Sequence, residues 1–149
     1  MRLILLLALL TSIFIGACQN NDTEQNNHAS PYMKLSTLEQ YDQGISNHIK
    51  VRLNKREQLS KIHAVNDEKN ILIAFDVDHH HRFTLGKIEQ EIQKEIEKLF
   101  PEHEVTVSTD LKILLSLEEL EKEIHEGTIS QERISKELNL LVKLTKDEA

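Results

Sequence analysis

The run DVDHHHRF, Asp76 to Phe83, sets three imidazoles beside two carboxylates, a donor set that suits a borderline divalent metal such as zinc, nickel or copper. In an extended chain His79 and His81 point to one side and Asp78 and His80 to the other, so about two ligands per side converge. A closed site would need further donors, for which His63 and His103 are the candidates. Asp78, His79, His80 and His81 are therefore the candidate ligands of a zinc or nickel site. The run is not an EF-hand loop, because counting from Asp76 the sixth position is His81, where glycine is needed, and the twelfth is Lys87, where glutamate is needed. The competing reading is a polar strand-to-helix connection that accommodates histidine.

Other reactive types are weaker. Ser108 and Asp110 lie close together, but Ser108 has no Gly-x-Ser-x-Gly elbow and suits a strand end ahead of a helix cap. Glu118, Glu119, Glu121 and Glu123 fall on a helix, where neighbouring carboxylates are ordinarily solvated. Four glycines in the whole chain make no phosphate-cradling loop. The expectation is a protein with no catalytic residue and no cofactor, and not an enzyme.

The elements that must position these residues follow from periodicity. ILIAFDVD, Ile71 to Asp78, is a strand with Ile71, Ile73, Phe75 and Val77 on its buried face, turning polar toward its end. Thr84 is the expected N-cap of a helix carrying Ile88, Ile92, Ile96 and Leu99, which Phe100-Pro101 stops. Its other face, with Glu89, Glu91, Lys94, Glu95, Glu97 and Lys98, reads as solvated charge. EVTVSTD is a second strand with Val105 and Val107 inward, and Thr109 or Asp110 caps the next helix. That helix bears Ile113, Leu114, Leu117, Leu120 and Ile124 and closes at Gly127, where a left-handed residue is wanted. A last helix begins near Ser130 with Ile134, Leu138, Leu141, Val142 and Leu144 inward. Upstream, Ile49, Val51 and Leu53 fit a strand while Ile45, Ile49 and Leu53 fit a helix, and nothing local decides. A short helix is expected over Arg56 to Ile62, then a turn at Asn66, Asp67 and Asn70. The class is α+β: a single domain with a two- or three-stranded sheet covered by about three helices.

The N-terminus has its own chemistry. Leu3 to Ile15 is apolar or small, behind Arg2, and is shorter than the roughly 20 residues a spanning helix needs. A positive start, an apolar core and then small residues mark an export signal over residues 1–17. Ile15-Gly16-Ala17-Cys18 resembles the lipobox of bacterial lipoproteins, in which the Cys thiol receives a diacylglyceryl group and becomes the first residue of the mature chain. Cys18 is the only cysteine, which excludes a disulfide framework. The expected modification is lipidation, with membrane lipid as partner through Cys18. Two acyl chains, at about 0.8 kcal/mol per buried CH₂, suffice for stable anchoring where one does not.

Beyond the signal, 17 basic face 25 acidic side chains. That balance disfavours nucleic acid, which requires a basic patch. Residues 18–44 are polar and rich in Asn and Gln, expected as a disordered tether reaching roughly 30 Å, and residues 45–149 have the size of one domain with an aliphatic core.

The stretches IGAC, AFDVD, KIEQEIQKEIEKLFP and EVTVSTDLKILLSLEELEKEIHEG, in that order, resemble the YhcN/YlaJ sporulation lipoproteins of spore-forming Gram-positive bacteria. None of these stretches is a catalytic signature, and the triple His is not part of the pattern. Family members usually carry a hairpin before the AFDVD-like strand, whereas KIHAVNDEKN leaves room for a very short first strand at most. The resemblance implies a lipid anchor on the outer face of the cell membrane, in the forespore or spore inner membrane. It further implies a role in spore formation, germination or outgrowth, with an unidentified spore or envelope protein as partner. The alternative is a lipid-anchored metal-binding protein using Asp76 to His81.

Overall fold

The computed structural model describes residues 42–148. Cys18, the Ile15, Gly16 and Ala17 that precede it and nearly all of the expected tether lie outside them.

The undecided first segment is a helix, α1, Gly44–Leu53. Ile49 and Leu53 are fully buried four residues apart, while Val51, which a strand would have turned inward with them, is 46% exposed. Strand β1, Leu59–Asn66, occupies the stretch expected to hold a short helix and then a very short strand. It is eight residues long. It pairs antiparallel with β2, Asn70–Val77, through a turn closed by Asp67. The Asp67 carboxylate accepts from the backbone N–H of Lys69 at 2.8 Å and of Asn70 at 2.7 Å, which is the local hydrogen bonding that makes Asp a turn residue.

A 3₁₀ turn, His79–Thr84, follows β2. Helix α2, Leu85–Leu99, then carries the chain to β3, Glu104–Ser108, which pairs parallel to β2. Parallel neighbours need such a crossover, because a short turn cannot reverse the chain twice. The sheet order is β1-β2-β3. Thr84 stands at the N-cap position of α2, but its hydroxyl donates to the His81 carbonyl at 2.9 Å and closes the preceding turn instead of capping the helix.

Helix α3, Leu111–Glu126, is capped by Asp110, whose carboxylate accepts from Lys112 N at 2.8 Å and Ile113 N at 3.0 Å. Gly127 ends it at φ 67°. Helix α4, Gln131–Glu148, completes the fold. The class is α+β, with an open three-stranded mixed sheet and, among the described residues, four α-helices where about three were expected.

The fourth helix changes the layering. Ile71, Ile73, Phe75 and Val77 of β2 pack with Ile49 and Leu53 of α1 and Ile88, Ile92 and Ile96 of α2. Leu72 and Ala74, on the opposite face, pack with Ile113, Leu114, Leu117 and Leu120 of α3 and Ile134, Leu138 and Val142 of α4. The central strand is therefore covered on both sides, and only Asp76 within it is partly exposed. Each fully buried Ile, Leu or Phe side chain contributes about 1.5–3 kcal/mol relative to exposure, so the two apolar layers dominate the fold's stability. Among the described residues no helix is long and apolar enough to cross a membrane.

Gly127 offers a clean test of the α3 terminus. A Cβ there meets no atom within 4 Å, so the cost of Gly127→Ala is backbone strain alone, about 1–2 kcal/mol for an L-residue held left-handed. Thermal unfolding should shift downward by roughly 4–8 °C per kcal/mol. An unchanged midpoint would mean that the helix end relaxes freely.

Candidate functional site

The histidine run forms no cluster. His79 and His80 are exposed and His81 is half-buried in the 3₁₀ turn, where three residues per turn send consecutive side chains to three different sides. Asp78 starts the turn, its carbonyl accepting from His81 N at 2.8 Å. Neither further candidate joins them. His63 is held by Glu121, and the His103 ring stands edge-on to Phe100 with centroids 6.4 Å apart. Among the described residues no three His, Cys, Asp or Glu side chains converge as a ready metal site.

Ser108 and Asp110 are both engaged at the start of α3. The Ser108 hydroxyl accepts from Asp110 N at 3.2 Å, and Asp110 caps the helix.

The unforeseen chemistry lies along the outer edge of β1. Glu121, expected in solvent with its neighbours on α3, is fully buried. One carboxylate oxygen accepts from Lys50 Nζ at 2.8 Å and from the Ala64 backbone N–H at 2.9 Å, and the other meets His63 Nδ1 at 2.8 Å. Since a carboxylate only accepts, His63 Nδ1–H is the donor. Lys50 is also fully buried, and burial pushes its ammonium below the ordinary value while the charge and hydrogen bond of Glu121 oppose the shift. Lys50 comes from the α1 side of the sheet and Glu121 from the α3 side, so the pair wraps the strand edge. The arrangement is sealed, and it serves structure.

Gln43 closes the same edge two residues on. Its side-chain amide donates to the Asn66 carbonyl at 2.7 Å and accepts from Asn66 N at 3.1 Å, imitating a neighbouring strand. Asn66 in turn caps α1 from a distance, its side-chain oxygen accepting from Ser46 N at 3.1 Å and Ser46 Oγ at 2.7 Å. Buried side chains thus satisfy outward-facing groups of β1, which removes a template for unwanted strand pairing.

The other edge is open. Glu104, Thr106 and Ser108 turn their backbone toward β2, as the bond from Glu104 N to the Lys69 carbonyl at 2.7 Å requires, and Val105 and Val107 turn theirs outward. Beside them runs a groove of about 670 Å³ walled by Glu89 and Gln93 of α2 and by Thr145 and Lys146 of α4, with Thr109 and Asp110 at its end. Gln93 donates to the Val105 carbonyl at 2.6 Å. Lys146 pairs with Glu104. Among the described residues the Glu89 carboxyl meets only the Thr109 hydroxyl, at 3.4 Å, and burial pushes it up more than that bond lowers it. The sequence carries no signal for this groove, because which strand ends up at the edge is decided by the sheet order.

No curated protein and no solved structure matches the chain. The family model described as sporulation lipoprotein YhcN/YlaJ matches residues 16–138, which takes in Cys18 and every described element up to the middle of α4. With most of the chain matched, this protein belongs to the YhcN/YlaJ family of sporulation lipoproteins, a membership that implies association with a membrane.

Proposed function

We propose that the protein is a membrane-anchored, non-enzymatic binding or assembly module acting in spore formation, germination or outgrowth. Cys18 carries the diacylglyceryl group after cleavage behind Ile15-Gly16-Ala17, and the domain stands on the outer face of the forespore or spore inner membrane. The observation that carries this reading is a family match running from Gly16, through Cys18, into the folded region. The rest follows from what the side chains are used for. The buried carboxylate is enclosed by its three donors, Ser108 and Asp110 build a helix start, and the groove beside β3 sets outward strand backbone between Glu89 and Gln93 on one wall and Thr145 and Lys146 on the other. A strand edge lying open beside a groove suits recognition of a partner.

Fractionation of sporulating cells expressing wild type and Cys18→Ala tests the anchor. Wild type should sediment with membranes, and the variant should keep its signal and lose the acyl chains. Equal amounts of both proteins on the membrane, or an unprocessed wild type, would overturn the assignment.

A further inference from the structure

The two edges of the sheet are treated differently by the same chain. On β1, Glu121 takes the outward N–H of Ala64, and Gln43 takes both groups of Asn66. On β3, only the Val105 carbonyl has such a partner, from Gln93. Among the described residues nothing pairs with the outward N–H of Val105 or with the outward N–H and C=O of Val107. Unpaired strand groups beside a groove are what strand addition uses, with main-chain bonds for affinity and flanking side chains for selectivity.

Shape decides between occupants. Val105, Thr106, Val107 and Ser108 are only 4–7% exposed although they form an edge, so the strand lies recessed below the rims of α2 and α4. A second folded copy would bring its own flanking helices against those rims. A lone extended segment reaches the floor. The five residues of β3 rise about 17 Å, which sets the length of the segment that can pair.

Charge decides the chemistry. Lys146 at one end of the groove is already matched by Glu104, whereas Glu89 on the α2 wall, near Thr109, has no cation of the described chain beside it. A half-buried carboxylate with one long neutral hydrogen bond is complementary to an ammonium or guanidinium arriving with the ligand.

We infer that the free edge of β3 is a strand-addition site for an extended segment of a partner protein, bearing a lysine or arginine that meets Glu89. The inference rests on the protein's being a binding module, and it names the kind of partner. The segment's alternate side chains face the α2 and α4 walls, and its backbone completes the bonds that Val105 and Val107 leave open.

The test is selection of linear heptapeptides from a displayed library against the full chain in detergent. A synthetic representative of the winners is then titrated by fluorescence anisotropy. The expected winners alternate β-branched residues and carry Lys or Arg at one fixed position. Their affinity should fall about tenfold on Glu89→Gln, a substitution on the groove wall that leaves the core untouched. It should vanish when alternate amides of the peptide are N-methylated. Winners with helical spacing, or winners indifferent to both changes, would remove strand addition while leaving a binding module in place. An empty selection would overturn the site.

Discussion

Glu121→Ala is expected to lower stability by roughly 3–5 kcal/mol, the scale on which removing one member of a buried ion pair acts. The substitution takes one shared acceptor away from three donors at once: the Lys50 ammonium, His63 Nδ1–H and the Ala64 N–H. Since small domains hold only about 5–15 kcal/mol, most of the margin would go. Urea unfolding measures it, as a fall in midpoint at constant slope. The paired change Lys50→Met with Glu121→Leu should recover only the part of the loss that belongs to the buried charge, because His63 Nδ1–H and the Ala64 N–H still lack the carboxylate they donate to. A cycle in which each single change is harmless would show that water reaches the pair.

Phe75→Ala should cost a similar amount, about 3–5 kcal/mol, through the cavity it leaves under α1 and α2. Phe75 is fully buried in the centre of β2 and has no exposed atom from which the site could collapse. Phe83, eight residues on in the 3₁₀ turn, is 100% exposed, and Phe83→Ala should stay within about 0.5 kcal/mol of wild type. Thermal midpoints of the two variants make the comparison direct. Equal shifts would mean that Phe83 packs somewhere in solution.

Periodicity made five elements readable, namely β2, α2, β3, α3 and α4, because Ile, Leu and Val recur in each at the spacing of its own geometry. It failed where buried residues are polar. In β1 both faces are buried, Ile62 and Ala64 against one core and Val65 against the other, the register shifts between Leu59 and Lys61, and the buried His63 and Asn66 are polar and hydrogen-bonded, so no clean alternation shows in hydropathy. The turn at Asp67 was legible, and a tight turn ahead of one strand could have been taken as a demand for another behind it. For β2, Leu72 and Ala74 already put apolar residues on the second face, and only Asp76 and Asp78 suggested water there. Glu121 was marked by spacing, four residues after Leu117 and three before Ile124 on the apolar stripe, whereas its partner Lys50, 71 positions earlier, could not be read from the sequence. The His79 to His81 run looked richest in chemistry, yet the chain coils there and spreads the rings apart.

The separation between Glu121 and its partners, 71 residues from Lys50 and 58 from His63, also bears on how a copy is made. A polypeptide produced from its amino end presents β1 with a cation and a bare edge well before the neutralising carboxylate has been synthesised. Until that carboxylate arrives, the edge at Ala64 stays open to unwanted strand pairing, with Gln43 closing only the end at Asn66. Products broken off ahead of α3 should therefore be cleared rather than accumulate. Completion of the chain becomes its own licence to persist.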